Sequence, residues 1–414
     1  MKEKLFSWLD NSVELAIELE TELTKIPAVS PDSGGEGEFD KCKFLEKWLR
    51  SHGITQLERY DALDRRAKGE VRPNLIATIE GSGDENDGRL WIMSHLDVVP
   101  PGEEKLWNNN PWTAVKADDP PGLRLIGRGT EDNQQGLVSS VLSALAFTAQ
   151  NLKPSRTIKL LFVSDEENGS IYGIKWLVEK HRDLFRKNDT ALVPDGGDMK
   201  GECIEIAEKN ILWLRFETHG KQTHGSRPDS GANAFLAGSD FAVRLHFELS
   251  KKFADRDPLF DPDYSTFQPT KKEVNVPNIN TIPGEDVFYM DMRILPRYTS
   301  ASVFAEIDRI KSKIEMKYHV TIEYSVIQEA VSKPTDKNAP IVKMLTKAAN
   351  EVYGVNPYPI GIGGGTVAAE LRNIGIDSAV WTKTDETLHQ PNEYALLENI
   401  IGDAKVMTQL ANNK

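Results

Sequence analysis

The sequence predicts an α/β protein with a mostly parallel central sheet, into which a small α+β segment is inserted. Three observations predict it. Strand-like and helix-like stretches alternate from the start of the chain to about residue 208. Two apolar strand-like runs, residues 90–95 and 158–163, discharge into ionisable residues, as strands do at the ligand-binding rim of such a sheet. The same alternation returns after Pro334, so the middle of the chain is inserted, not appended. The expected boundaries are 1–208 and 328–414 for the two parts of the first domain and 209–327 for the insertion.

Taken in order, residues 13–23 carry helical apolar spacing, which the Ile26-Pro27 step ends because a residue before proline is pushed out of helical geometry. Residues 30–38 form a loop rich in Pro, Gly and Ser, followed by a second amphipathic helix whose apolar face is Phe44, Leu45, Trp48 and Leu49. A strand at 74–79, a charged turn at 81–88 and the strand ending at His95 come next. Then follow a helix at 134–147, a strand at 158–163, a helix at 171–185 and a strand at 191–193. In the insertion, residues 211–218, 287–294 and 319–326 read as strands and 232–249 and 302–313 as helices. The stretch 255–272, dense in Pro, Asp and Lys, reads as a long loop, and helices near 341–352 and 396–410 complete the first domain.

A chain of 414 residues is longer than one hydrophobic core usually serves, which agrees with two domains. The content of 39% hydrophobic and 27% charged residues is that of an ordinary soluble protein. A formal net charge of -13 with no basic stripe excludes a nucleic-acid surface. The two cysteines, Cys42 and Cys203, are expected as reduced thiols. The N-terminal Met1-Lys2-Glu3-Lys4-Leu5-Phe6 lacks the apolar stretch of a signal peptide, and no segment approaches the roughly 20 apolar residues of a membrane span. A cytoplasmic protein with no membrane partner is expected.

The candidate site gathers His95, Asp132 in Gly127-Arg128-Gly129-Thr130-Glu131-Asp132, Glu167, Asp195 in Val193-Pro194-Asp195-Gly196-Gly197, and His389. Asp198 competes with Asp195 for the same role. Two imidazoles and three carboxylates suit a pair of divalent first-row ions, zinc foremost, with cobalt or manganese tolerated. A carboxylate bridging two metals holds them about 3.5–4 Å apart, as two-metal hydrolases require. Glu166 and Glu167 are neighbours, whose side chains point opposite ways in extended backbone, so one can bind metal while the other turns to a water. Asp97 shares a face with His95 and is expected to hold the second imidazole nitrogen.

With these residues in place the chain resembles the dinuclear-zinc exopeptidase and deacylase family, metallopeptidase family twenty. Its members include glutamate carboxypeptidases, succinyl-diaminopimelate desuccinylases, acetylornithine deacetylases, aminoacylases and carnosinase-like dipeptidases. The matching motifs are Ser94-His95-Leu96-Asp97 and residues 127–136, 164–170, 221–234, 280–296 and 387–394, which span nearly the whole chain. The resemblance implies a zinc-exopeptidase-like catalytic domain with an inserted lid or dimerisation domain. It implies His95, Asp132 and Asp195 on one zinc and Asp132, Glu167 and His389 on the other, with Asp132 as bridge, Glu166 as general base and Asp97 as support. An Asp at position 195 tilts the implied substrate slightly toward peptides. One departure is visible: many members have Lys two residues after the bridging Asp, where this chain has Gln134.

The resemblance also implies a homodimer in which His224 of one subunit steadies the oxyanion in the other's site. Asn280 and Arg293 look like its substrate-carboxylate contacts, as do Gly364, Gly365 and Thr366 ahead of a helix expected at 367–371. On their own residues, Asn280 and Arg293 read equally as turn stabilisation and a surface ion pair, while the bland alternative for the glycine loop, a flexible helix entry capped by Thr366, weighs less than anion binding. The expected reaction is amide hydrolysis by water activated between the ions, with Glu166 taking its proton. The substrate class is a dipeptide or an N-acyl amino acid with a free carboxylate, and the peptidase and deacylase readings are not separated by these motifs. A non-catalytic amino-acid-binding protein would show a broken ligand set, and a magnesium phosphotransferase would need a P-loop; neither feature is present.

Overall fold

The structure, a computed structural model, describes residues 1–84 and 87–412, so Glu85 and Asn86 of the expected charged turn lie outside the described residues. The chain divides into two compact units, Met1–Ile206 with Thr335–Ile360 and Glu370–Lys414, and Ala207–Pro334 with Gly361–Ala369.

The first unit is built on an eight-stranded sheet. In spatial order its strands are Leu57–Leu63, Val71–Ile79, Ile158–Val163, Leu90–His95, Thr190–Asp198, Asp377–Lys383, Cys203–Glu208 and Tyr358–Ile362. The strands Ile158–Val163, Leu90–His95, Thr190–Asp198 and Asp377–Lys383 run parallel. Antiparallel strands flank them on both sides, so the sheet is mixed around a parallel centre. The flank follows from connection length: only a short loop joins Leu57–Leu63 to Val71–Ile79, which antiparallel pairing permits, whereas parallel neighbours need a long crossover. Every residue of Leu90–His95 is buried, the reason its first four residues read as an unbroken apolar run. The crossover helix Gly136–Ala149 is buried almost all round and packs against the C-terminal helix Leu397–Asn412, so its sequence holds only apolar residues and small hydroxyl residues.

Two expectations are refined here. The helix expected from residue 134 begins at Gly136, because Thr130–Gln135 forms an irregular wide turn in which Asp132 and Asn133 are non-helical. The helix expected over 171–185 is confined to Ile174–Lys180 with a short turn at Arg182–Leu184. Gly173 sets its start: its backbone is non-helical, and a Cβ there would lie 2.0 Å from the Ser164 carbonyl oxygen.

The second unit is a four-stranded antiparallel sheet in the order Thr266–Lys272, Glu285–Ile294, Asn210–His219, Thr321–Ala330. Burial alternates along its two central strands. Their buried side chains, among them Leu214, Phe216, Met290 and Met292, pack against Phe241 and Leu245 of Ala234–Lys252 and Ile307 and Ile310 of Ser300–Tyr318. The loop expected over 255–272 is corrected: its last residues form an edge strand, interrupted by a register shift between Pro269 and Lys271. An edge position tolerates a proline, and the lysines there hide any apolar alternation.

Candidate metal centre

The parallel strands of the first unit deliver their carboxyl ends to one place, and the sequence candidates of that unit meet there. His95 ends its own strand, Glu166 and Glu167 follow Ile158–Val163, Asp195 lies within Thr190–Asp198, and His389 follows Asp377–Lys383. Asp132 comes from the irregular turn before Gly136–Ala149.

The His95 Nδ1–H donates to the main-chain carbonyl of Asp97 at 2.9 Å. A carbonyl only accepts, so Nδ1 carries a proton and Nε2 faces the cluster. Nε2 lies 2.8 Å from Asp132 Oδ1 and 3.7 Å from Asp195 Oδ1. His389 Nε2 lies 3.0 Å from the other Asp132 oxygen and 3.2 Å from Glu167 Oε1. The ligand atoms of His95, Asp132 and Glu167 fall within 4.8 Å of one another, as do those of His95, Glu166 and Asp195.

The electrostatics ask for a cation. Burial pushes the Asp195 carboxyl up to about 6, with the negative charges of Asp132 and Glu167 adding to it against the pull of His95. Burial, then the charge of Asp195, raises Glu166 well above the carboxylate range. Asp132 goes the other way: burial opposes its charge, but hydrogen bonds from His389 and His95 outweigh that and hold it below the usual range. Carboxylates crowded where water is excluded are stable only with compensating positive charge. Nitrogen and carboxylate donors converging on common points are the set a divalent first-row ion takes, so the residues fit such a group.

Asp97 holds the second imidazole nitrogen through its main-chain carbonyl, not chiefly through its side chain. Its carboxylate stays 3.6 Å from His95 Nδ1 and instead accepts the N–H groups of Glu166 at 3.1 Å and Glu167 at 3.0 Å. It thus fixes the backbone that carries both glutamates. Asp198 is separated from Asp195 by its partners, the Glu202 N–H at 2.7 Å and the Cys203 thiol at 3.3 Å. Asp165 belongs to the support: Arg72, wholly buried, bonds it at 3.2 Å and also holds Glu38. Gln134 accepts from the Thr24 hydroxyl at 3.1 Å and brings no charge.

Sequence reasoning missed Asn133. Its Oδ1 accepts the His95 N–H at 3.2 Å, while its Nδ2 donates to the Pro194 carbonyl at 2.7 Å and to Asp195 Oδ1 at 2.9 Å. One side chain therefore ties His95 to Asp195 beside Asp132. Its only sequence signal is adjacency to Asp132.

The remaining candidates belong to the second unit. The strand pair Thr223–His224 and Thr281–Ile282 sets His224 opposite Thr281, and the Gly225 N–H bonds the Asn280 carbonyl at 2.7 Å. The Ser226 N–H donates to His224 Nδ1 at 3.2 Å, so neutral His224 carries its proton on Nε2. Arg293 forms a two-pronged pair with Asp291 at 2.7 and 3.0 Å and donates to the Gly363 carbonyl at 2.9 Å, which ties it to the Gly364-Gly365-Thr366 loop. Thr366 donates to Glu208 at 2.5 Å, and its oxygen accepts the Ala368 N–H at 3.3 Å. The helix beyond is Ala368–Asn373. Among the described residues, no helix is long and apolar enough to cross a membrane.

Known proteins resemble the chain along nearly its whole length. The chain is 39% identical to the uncharacterized metallohydrolase MJ0457 of Methanocaldococcus jannaschii, over 96% of this chain and 99% of that one. It is 26% identical to the succinyl-diaminopimelate desuccinylase of Pelagibacter ubique, over 96% of this chain and 98% of the relative. In fold it is similar to the di-peptidase Dug1p of Saccharomyces cerevisiae, with a TM-score of 0.73 at 17% identity over 100% of this chain and 98% of the other. Residues 91–413 match the model of Peptidase family M20/M25/M40, and the chain belongs to that family as a metallohydrolase.

Proposed function

We propose that the protein hydrolyses the amide bond of a dipeptide or an N-acyl amino acid with a free carboxylate, using two divalent ions, zinc foremost. The observation that carries this reading is Asp132, whose two carboxylate oxygens face different imidazoles. In this reading His95, Asp132 and Asp195 hold one ion and Asp132, Glu167 and His389 the other. Ions so held would acidify a shared water and polarise the scissile carbonyl, and cobalt or manganese would serve the same ligands. Glu166 is the general base: it takes a proton from the attacking water as the new C–O bond forms, and passes it to the nitrogen as the C–N bond breaks. Asp97 keeps Glu166 and Glu167 in register through their amides.

His224, from a second copy of the chain, steadies the oxyanion with its Nε2–H. Asn280, Arg293 and the Gly364-Gly365-Thr366 loop take the substrate carboxylate. The loop is open enough for this, since Gly364 and Gly365 are exposed. The homodimer is supported by Leu236, Val243 and Phe247, exposed along the helix Ala234–Lys252, and by Thr321–Ala330, an unpaired sheet edge. We also place the protein in the cytoplasm, where its free Cys42 and Cys203 stay reduced.

The identity to a desuccinylase supports deacylation as the second reading, and the likeness to a dipeptidase is one of fold. A hydrolysis screen of the zinc-reconstituted protein over dipeptides and N-acetyl, N-succinyl and N-carbamoyl amino acids decides between them. Turnover of one class, abolished by a chelator and restored by zinc, is expected; no turnover of any class overturns the reading.

A further inference from the structure

Two acids outside the ligand set hold the segments that present Asp132 and His389. Glu393, wholly buried, lies just after His389. Its Oε1 accepts the N–H groups of Glu131 and Asp132, both at 2.9 Å, and its Oε2 accepts the Gly129 N–H at 3.0 Å and a guanidinium N–H of Arg128. Glu131 reaches the opposite way. Its Oε1 accepts the Thr384 hydroxyl and the Asp385 N–H at 2.5 Å, and its Oε2 accepts the Thr387 N–H, with the Thr387 hydroxyl 2.7 Å away. The acid beside Asp132 thus grips the segment leading to His389, and the acid beyond His389 grips the segment around Asp132.

Neither segment has a regular ladder of its own. Residues 129–133 are an irregular turn, and residues 384–389 link the strands Asp377–Lys383 and Tyr394–Leu396. Buried backbone N–H groups must find acceptors, and an ionised carboxylate is a stronger acceptor than a carbonyl. Each segment supplies the acceptor that the other lacks, so neither can settle without the other. Ordinary loop satisfaction would be local, whereas these bonds join residues more than 250 positions apart.

We propose that Glu131 and Glu393 are positioning residues forming a reciprocal clasp, which sets Asp132 and His389 as one unit and preforms the metal position they share. The metal part rests on the reading above; the clasp itself is a property of the metal-free chain.

The test is amide hydrogen exchange of the chelator-treated protein, peptide by peptide, in Glu131→Gln and Glu393→Gln. Each variant is expected to speed exchange about tenfold or more in both 127–133 and 384–389. Faster exchange confined to the segment whose N–H groups the substituted acid accepts overturns the clasp. Thr384→Val, which removes one donor and leaves both acids, covers the case where a Gln variant fails to fold. It is expected to give the same two-segment pattern at smaller amplitude, and a change confined to 384–389 counts against the proposal. Zinc titration against a competing chelator reads the consequence. Glu131→Gln is expected to lose 10- to 100-fold for the ion at His389, whose two ligands Asp132 and His389 the clasp sets, and less for the ion at His95 and Asp195, which shares only Asp132. Equal weakening of both ions, or of neither, overturns the preformed metal position. A wild-type protein that binds fewer than two zinc ions sinks the dinuclear reading, while the exchange pattern still decides the clasp.

Discussion

Asn133 offers a sharp test of how the centre is held. Asn133→Ala removes hydrogen bonds at 3.2 Å to the His95 N–H, 2.7 Å to the Pro194 carbonyl and 2.9 Å to the Asp195 carboxylate. A bond between neutral groups contributes about 1 kcal/mol net and one to a charged group about 2, so the set is worth about 4 kcal/mol. Water entering the space offsets part, leaving an expected loss near 3 kcal/mol in urea unfolding of the metal-free protein. Zinc affinity should fall 10- to 100-fold, because Asp195 loses the donor that aims it. Asn133→Asp separates the electrostatic from the geometric effect. It sets a carboxylate where the amide met Asp195, and two unit charges 2.9 Å apart repel by about 6 kcal/mol at an effective dielectric of 20, an upper bound since the pair relaxes apart. The Asp variant should therefore be less stable than the Ala variant without metal, and zinc should narrow the gap. Unchanged zinc affinity in Asn133→Ala, or an Asp variant no worse than Ala in the apo protein, would refute the reasoning.

Three further predictions follow from the same geometry. Glu166→Ala should keep its bound metal by elemental analysis yet lose at least 100-fold in turnover of the substrate found by the screen; high residual activity in the metal-loaded variant rules Glu166 out as the base. Asp403, buried against Thr382, Tyr353 and Gln135, has its carboxyl pushed up by burial to about 6 from 3.8. A raised acid binds its proton more tightly when folded, so its contribution is full below about pH 4 and is lost as pH rises through about 6; the rise corresponds to about 3 kcal/mol. Asp403→Asn should flatten urea stability between those values, and a slope equal to wild type removes Asp403 as its source. His224→Ala mixed with Glu166→Ala should regain activity if the site is shared between copies, and confirmed mixed dimers that stay dead would exclude a contribution in trans.

The parallel centre of the sheet was legible because strands buried on both faces are largely apolar, as in Leu90–Met93 and, apart from the half-buried Lys159, Ile158–Val163. The strand Cys203–Glu208 was not, because Glu205 and Glu208 are buried charges that break its apolar pattern. Thr266–Lys272 was hidden by the proline and lysines an edge strand accepts. At the metal centre, the candidate ligands stood out as ionisable groups where apolar strands stop.

What aims those residues left no such mark, and the reason is physical. His95 is oriented by the main-chain carbonyl of Asp97, an acceptor every residue possesses, so the sequence pointed to the residue but not to the atom. Glu131, Glu393 and Asp97 act largely on backbone N–H groups, and Asn133 on a backbone N–H and a backbone carbonyl, which carry no residue identity. A pairing of side chain with side chain constrains two positions in a sequence; a pairing of side chain with backbone constrains one. Such a support becomes visible only when the fold has brought an otherwise ordinary acid or amide to a segment that lacks acceptors. In this chain the candidate ligands were therefore readable as ionisable groups at strand ends, while the precision with which they are set lies in contacts to the main chain.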